Sequence, residues 1–336
     1  MTPSHLEVVK EMKARANAFA MKLQSTSGAW IGEVELNPGP TAQLVMLHSA
    51  LNIILEPSFA SGAKNYILAT QNEDGGWSPF YGAPSEASLT CECYVALRLL
   101  GFAPTDSACM RALAKIQLLG GVSQCNAWTQ LYLGVLGIIP WNKIYRTPVE
   151  IMLLPKWFPI HLSQLSYWVQ VIKIPMALLG ATGPGEPISL AKSLTSELKV
   201  NNPGAKWPGD MLSVRAGRLL LKGMVSIFPG LRRKAIQRAL DWIEEFREAH
   251  GDFGGNTCTG INVILCLDRL GKRQDPRFQP AIDAILGYSV TKQDQVRVQC
   301  CQSHIWDTGF VLSGLDAVKD EGSQEPILKG AKWLLS

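Results

Sequence analysis

The sequence predicts an all-α fold in which helical hairpins joined by stapled corners close into an α/α barrel, a toroid; an open helical solenoid is the alternative. Three observations lead there. The pattern Gln-x-x-x-Gly-x-Trp occurs as Gln24…Gly28…Trp30 and again as Gln71…Gly75…Trp77, with a worn copy at Arg247…Gly251…Phe253. Each copy lies between two helical patterns, so a repeated corner implies a repeated helix pair. Apolar residues recur at helical spacing along most of the chain, and convincing alternating strands are hard to find.

The corner has a physical rationale. The Gln amide carries two donors and an acceptor, enough to bond orphan carbonyls at one helix end and orphan amides at the start of the next. The Gly turns the chain and the Trp lies back over the turn. Such a corner ties neighbouring hairpins together.

From the N-terminus, Leu6 to Leu23 reads as an amphipathic helix, because Glu7, Lys10, Glu11, Lys13, Arg15 and Lys22 interrupt it; it is not a signal peptide. Helices follow at Thr41–Leu55 and at Glu86 to Leu100, where Leu89, Cys93, Ala96, Leu97 and Leu100 form one stripe and Gly101 stands at a left-handed cap. Further helices are expected at Ser107–Leu118, Asn126–Leu136, Ala235 to Phe246, Ile261–Leu270, Pro280–Ile285, Gly309–Val318 and Pro326–Leu335. Residues 181–209 break the pattern with Pro184, Pro187, Pro203, Pro208 and several glycines, which predicts a long surface excursion.

Composition narrows the function. With 336 residues, 47% of them hydrophobic, the chain can bury a large core. A net charge of +4 is too mild to argue for nucleic acid, and the cluster Arg232-Arg233-Lys234 with Arg238 reads as a solvated helix face. Eight cysteines without a Cys-x-x-Cys pair suit a reducing compartment. No stretch approaches the roughly 20 apolar residues of a membrane span. The segment Glu150-Ile151-Met152-Leu153-Leu154-Pro155-Lys156-Trp157-Phe158-Pro159-Ile160, then Ser166-Tyr167-Trp168 and an apolar run to Leu179, reads as a buried helix with its entry turn. The Trp157-Phe158 turn beside Lys156 also suits a monotopic surface at a lipid interface.

In its motifs the chain resembles the squalene–hopene cyclase family of class II triterpene cyclases. The twin corners are similar to that family's QW motifs. The run through Leu154-Pro155-Lys156-Trp157-Phe158 to Tyr167-Trp168 looks like its apolar channel segment. Arg232-Arg233 into Arg238-Ala239-Leu240-Asp241-Trp242, and Trp306-Asp307-Thr308-Gly309, match further landmarks in order and approximate spacing.

The resemblance implies only the N-terminal half of such an enzyme: residues 1–305 as the first α/α barrel and 306–336 as the truncated start of the second, catalytic barrel. In the family two barrels enclose a greasy cavity, and an Asp-x-Asp-Asp acid on the second barrel protonates the substrate, a reaction that makes the enzyme an isomerase. No such run occurs in this sequence, so no catalytic residue is assigned and the chain is expected to be inactive alone. Trp168 and Trp306 fall on family positions that line the cavity, where aromatic faces stabilise a carbocation, but either also fits ordinary core. Glu92 matches a carboxylate that supports the acid site, or else is a satisfied inter-helix acid, and Gln43 stands where the family commonly has another acid. Cys258, Cys300 and Cys301 fall on stretches of pocket wall.

Asp307 is expected to cap a helix N-terminus rather than to act as an acid. Cys91-Glu92-Cys93 and the histidines His48, His161, His250 and His304 lack zinc-ligand spacing, so neither metal nor cofactor is expected. The implied partners are a linear polyprene such as squalene, a complementary C-terminal cyclase half or a second copy of the chain, and a membrane surface; nucleic acid is not among them. The implied location is the cytoplasmic side of a membrane, peripheral or monotopic, not secreted. The alternatives are a non-catalytic lipid- or protein-binding barrel and a stand-alone enzyme with another acid.

Overall fold

The computed structural model describes residues 5–158, 161–202, 204–227, 230–318 and 321–336. Pro159, Ile160 and Pro203 of the sequence reading lie outside them. The helices are α1 (His5–Lys22), α2 (Gly39–Leu51), α3 (Pro57–Ala69), α4 (Ala87–Leu99), α5 (Ser107–Leu118), α6 (Ala127–Val135), α7 (Tyr167–Thr182), α8 (Ala191–Glu197), α9 (Leu212–Ile227), α10 (Gly230–Glu245), α11 (Thr257–Arg269), α12 (Phe278–Leu286), α13 (His304–Val318) and α14 (Gln324–Leu335). A two-stranded antiparallel hairpin joins β1 (Ser289–Lys292) to β2 (Gln295–Val298). The fold is the expected all-α one, of the α/α barrel type.

Two units divide the chain, one of Glu35–Cys300 and one of Met1–Val34 with Cys301–Ser336. The sequence reading ran its first domain from 1 to 305. In the structure α1 groups with α13 and α14, to which the corner that follows α1 bonds.

In the larger unit the helices sort into two layers. α2, α4, α6 and α11 are buried on nearly every side, whereas α3, α5 and α12 bury one stripe each. A helix apolar all round belongs inside, and one with a single apolar stripe belongs outside. α2 packs against α4 and α11, and α11 against α7, which in turn meets α10. Where α2, α6 and α11 converge, Met46, Leu47, Leu136 and Leu265 leave a gap of only about 10 Å³. That is about the size of one water, so side chains nearly fill this gap.

The corners are built alike. Gln71 Nε2 donates to Gly75 O (2.9 Å) and to Ala108 O at the start of α5 (2.9 Å), while Trp77 Nε1 donates to Ile67 O near the end of α3 (2.8 Å). The Trp77 backbone N–H donates to Thr90 Oγ1 on α4 (3.1 Å). One motif thus ties three helices. In the smaller unit Gln24 Nε2 donates to Gly28 O (2.9 Å) and Pro326 O (2.8 Å), Trp30 Nε1 to Ala20 O (2.7 Å), and Trp30 N to Thr308 Oγ1 (2.9 Å). Both glycines have positive φ, and a Cβ on Gly75 would stand 2.7 Å from Arg111 O, as one on Gly28 would from Lys329 O. The worn copy keeps the close approach, with Gly251 against Pro280, but Arg247 turns to Glu244 and Phe253 has no indole N–H.

Several elements depart from the sequence reading. The helix expected at Thr41–Leu55 stops at Leu51 because Asn52 turns left-handed, φ 53°, and its N–H caps the helix. Helix α3 was not anticipated; Pro57 opens it, and Glu56 accepts the Phe59 N–H. Residues 181–209 are not a plain surface excursion: they contain α8 and bury Ala191, Leu194, Leu198, Val200 and Trp207. Arg98 on α4 pairs with Glu197 of α8 at 2.9 Å. Burial opposes the Glu197 charge, yet bonds from Arg98, Ser193 and Tyr94 hold its pKa down at about 2. The strand hairpin, read as absent, is short enough that its alternation is lost among loops; β2 packs on α3 where Gly62 lets Val296 approach. Arg232, read as solvated, donates to the buried Glu150 (3.1 Å).

Gly75→Ala should destabilise the protein by about 2–4 kcal/mol in urea denaturation, from strain at φ 87° and the clash with Arg111 O. Gly82→Ala, with φ 77° but open space around it, should cost only about 1 kcal/mol. Equal costs would show that the corner tolerates a wider approach than its geometry allows.

Candidate functional site

The early turns of the inner helices bring together the polar residues singled out in the sequence. Glu92, on α4, is fully buried between two donors: Gln43 Nε2 from α2 donates to its Oε2 (2.9 Å) and Thr129 Oγ1 from α6 to its Oε1 (2.6 Å). Cys258, the second residue of α11, places its Sγ 3.6 Å from Gln43 Oε1. Asn126 caps α6 by accepting the Thr129 N–H (2.9 Å), which fixes that threonine beside Glu92. Three inner helices therefore meet at one carboxyl, and α11 reaches it through Gln43.

Burial raises the Glu92 pKa to about 7, and the bonds from Thr129 and Gln43, which favour the carboxylate, offset it only in part. The pair tolerates both protonation states, since an amide offers a donor or, turned over, an acceptor. An acid at position 43 would instead set two buried carboxyls against each other. Gln43 thus lets a single buried acid sit within half of its titration near neutral pH.

Around this carboxyl the inner layer keeps further polarity at a cost. Tyr132 is buried, and its ring meets Trp128 edge-on with centroids 6.0 Å apart. Burial pushes that phenol well above its usual pKa. Asn262, one turn beyond Cys258 on α11, is fully buried with neither end of its amide partnered among the described residues. Unpartnered buried groups cost about 1–3 kcal/mol each, so an apolar residue would suit packing better. Sequence reading missed both, although a Tyr and an Asn inside otherwise apolar helical stripes were visible.

The remaining expected residues are scattered. Trp168 lies in the first turn of α7 and is half exposed, and Trp306 lies in the first turn of α13 with an exposed ring tilted at 44° to Phe310, centroids 5.3 Å apart. Cys300 and Cys301 follow β2, half-buried, and the Cys300 carbonyl accepts the Thr257 N–H at the start of α11 (3.0 Å). Asp307 is not the N-cap expected of it. α13 begins earlier, at His304, which puts Asp307 within the first turn, where Asp307 Oδ2 accepts the Gly32 N–H (2.8 Å). Glu248, His250 and Asp252, a Glu-x-His-x-Asp spacing passed over in the sequence, hold their donor atoms within 4.8 Å of one another. Asp252 is engaged by the Phe253 N–H and the Tyr288 hydroxyl, so its acceptors already have partners.

A family model described as the squalene-hopene cyclase N-terminal domain matches residues 14–294. The squalene–hopene cyclase of Zymomonas mobilis is 26% identical, in an alignment covering 97% of this chain and 51% of that protein. The dammaradiene synthase of Dryopteris crassirhizoma is 29% identical, covering 99% of this chain and 50% of its own. The chain spans about half the length of the curated relatives it matches. The type II terpene cyclase MstE of Scytonema overlays 97% of this chain at 12% identity and a TM-score of 0.24, too low a score to carry an argument.

Glu92 should leave a pH signature in stability. The folded protein holds a proton up to about pH 7 that the unfolded chain releases from 4.5, so stability falls as pH rises through that window. The loss between about pH 5 and pH 8 is of order 3 kcal/mol. Thermal unfolding of Glu92→Gln should lack this decline; an unchanged pH profile would mean the carboxyl is not the group responsible.

Proposed function

Because the chain belongs to the squalene–hopene cyclase N-terminal domain family, we propose that it supplies part of the cavity in which a class II cyclase folds and cyclises a linear polyprene such as squalene. The support for this reading is the family match, which runs across most of the chain. Cyclisation starts when a neutral carboxylic acid protonates a terminal alkene or epoxide, and the cation that grows from it needs aromatic faces and exclusion of water. The family's Asp-x-Asp-Asp run is absent from these 336 residues, so the starting proton comes from elsewhere and the chain is inactive by itself.

In this reading Trp168 and Trp306 offer π faces to the cationic hydrocarbon, and the Cys258 and Cys300 stretches form pocket wall. Glu92 holds Gln43 and Thr129 in place at the edge of that cavity. The two Gln-x-x-x-Gly-x-Trp corners tie the helices of the walls together. Residues 306–336 are the first part of the acid-bearing barrel.

The chain rests on the cytoplasmic side of a membrane as a peripheral or monotopic protein. Its supports are the exposed Trp157, set beside Lys156 and against Phe158 with ring centroids 6.0 Å apart, and an apolar substrate that resides in lipid. No helix among the described residues is long and apolar enough to cross a membrane.

The test is a single-chain chimera in which these residues replace the matched half of the Zymomonas mobilis cyclase. Incubated with squalene, the chimera should give cyclic product by gas chromatography with mass spectrometry, and this chain alone should give none. Trp168→Ala and Trp306→Ala should each change the product ratios. A folded chimera without cyclic product, or ratios indifferent to both substitutions, would contradict the reading.

A further inference from the structure

The worn corner, Arg247 to Phe253, keeps the backbone turn of the full ones but not the side chains that staple it. Glu248 N–H donates to Asp252 O (2.9 Å) and Gly251 N–H to Glu248 O (3.0 Å), as Asn72 and Gly75 do at the second corner. There the stapling extends beyond the glutamine and the indole. Asp74 accepts the Gly76 N–H (3.1 Å) and the Ser85 hydroxyl (2.7 Å), and its other oxygen pairs with Lys115 of α5 at 2.7 Å. Lys115 stands one turn beyond Arg111, whose carbonyl the corner glycine approaches; one turn beyond Pro280, which Gly251 approaches in the same way, stands Ala284. The worn corner thus has no glutamine, no indole and no lysine.

In their place are three side chains that ligate metals. Glu248, His250 and Asp252 stand at the positions of Asn72, Asp74 and Gly76, with donor atoms within 4.8 Å of one another and His250 Nδ1 3.8 Å from Glu248 Oε2. Ligand atoms on a tetrahedral ion are about 3.4 Å apart, so a closure of about 1 Å, which the exposed Glu248 and His250 can make, would complete the set. Asp252 supplies a separate reason. It is 2% exposed, and among the described residues no cation lies within ion-pair distance of it: Arg247 turns to Glu244, and Arg277 to Asp275 and Glu244. Buried carboxylates are ordinarily paired with a cation or coordinate a metal. Each Asp252 oxygen accepts one hydrogen bond, from the Phe253 N–H (2.7 Å) or the Tyr288 hydroxyl, and keeps a second lone pair. The Tyr288 bond is of the kind that orients a ligating carboxylate. Burial, then the charges of Glu248 and Asp252, raise the pKa of the Tyr167 phenol, the effect of negative charge left uncompensated.

We propose that Glu248, His250 and Asp252 bind a first-row divalent transition ion, with zinc as the type, and that this ion staples the worn corner. An imidazole beside two carboxylates suits zinc better than magnesium or calcium, which take all-oxygen sites. The two carboxylates balance the charge of the dication, and solvent water takes the fourth position beside the exposed Glu248 and His250. The ion ties the chain leaving α10 to the chain entering α11 and, through Asp252, to Tyr288 beyond α12. A metal there does the work that glutamine, tryptophan and the Asp74–Lys115 pair do at the second corner.

In the test, the full chain is stripped of metal with a chelator, kept reduced, and titrated with Co²⁺, whose visible spectrum reports its ligands, and with Zn²⁺ by calorimetry. One ion per chain is expected, with no thiolate charge-transfer band, which excludes the free cysteines as ligands. His250→Ala and Glu248→Gln should each weaken binding by about tenfold or more, since even outer partners of a metal site are worth that much. His5→Ala, at an exposed histidine of the smaller unit, should leave it unchanged. Both ligand substitutions are at exposed positions, so metal-free melts of the variants should match that of the parent chain. Zinc at a hundredfold excess over its Kd should raise the melting temperature by about 4 °C. It should also slow amide exchange at Glu248 and Phe253, and His250→Ala should show neither effect. No binding, a thiolate spectrum, tighter binding of calcium than of zinc, or affinity indifferent to His250→Ala would overturn the proposal. So would binding that leaves exchange at the corner as fast as before. Binding is read on this chain without substrate, so its outcome is independent of the polyprene reading.

Discussion

The tryptophan indole of each corner, donating to a carbonyl ten residues back while its glutamine reaches the start of a later helix, is the contact on which the other helices depend. Each such hydrogen bond contributes only about 1 kcal/mol. Their value lies in what they fix. A hairpin of two helices of this length cannot hide its own apolar faces, and one rigid corner sets the crossing of three helices at once. The glycine permits this because the backbone of the next outer helix passes within contact distance of its Cα, where no side chain fits.

From that ordering follows the layering, and from the layering the chemistry. Helices held in an inner ring are desolvated along their whole length, so any polar residue on them is exposed to the low dielectric of the core. Glu92 is the clearest case: its charge is disfavoured by burial, and Gln43 and Thr129 satisfy it without a counter-charge. A buried acid that is partly neutral near physiological pH is a group whose hydrogen-bond direction responds to its surroundings. In the proposed function that property positions neighbours rather than starting the reaction.

Much of this was legible in the sequence for a physical reason. The corner needs three residue types at fixed spacing, so Gln71, Gly75 and Trp77 stood out, although the Gln71 amide donates to Gly75 O and Ala108 O and its Oε1 accepts from Arg111 rather than from the amides of a helix start. Glu92 and Gln43 were legible through resemblance, and their contact follows from neighbouring inner helices. The departures are equally physical. Helix α3 hid because it opens with Pro57 and carries only a weak apolar stripe, although proline is well placed in a first helical turn. The segment 181–209 hid α8 because prolines at its ends masked a short apolar stripe. Asp307 misled because a short polar residue near a helix start suggests a cap, while the true start depends on His304 and on a tertiary bond to Gly32 that spacing does not encode. The grouping of α1 with α13 and α14 is non-local in the same way: it rests on Gln24 and Trp30 finding Pro326 and Thr308 almost three hundred residues away.

Hydrogen exchange at the tryptophan indoles, followed by NMR of protein labelled with ¹⁵N-tryptophan, addresses the equivalence of the two corners most directly. The account predicts that the Trp30 and Trp77 indole N–H groups exchange slowly and at comparable rates, while those of Trp157 and Trp306 exchange almost at once. A Trp30 indole that exchanges as fast as that of Trp306 would contradict it, because the staple joining α1 to α13 and α14 would then not exist in solution.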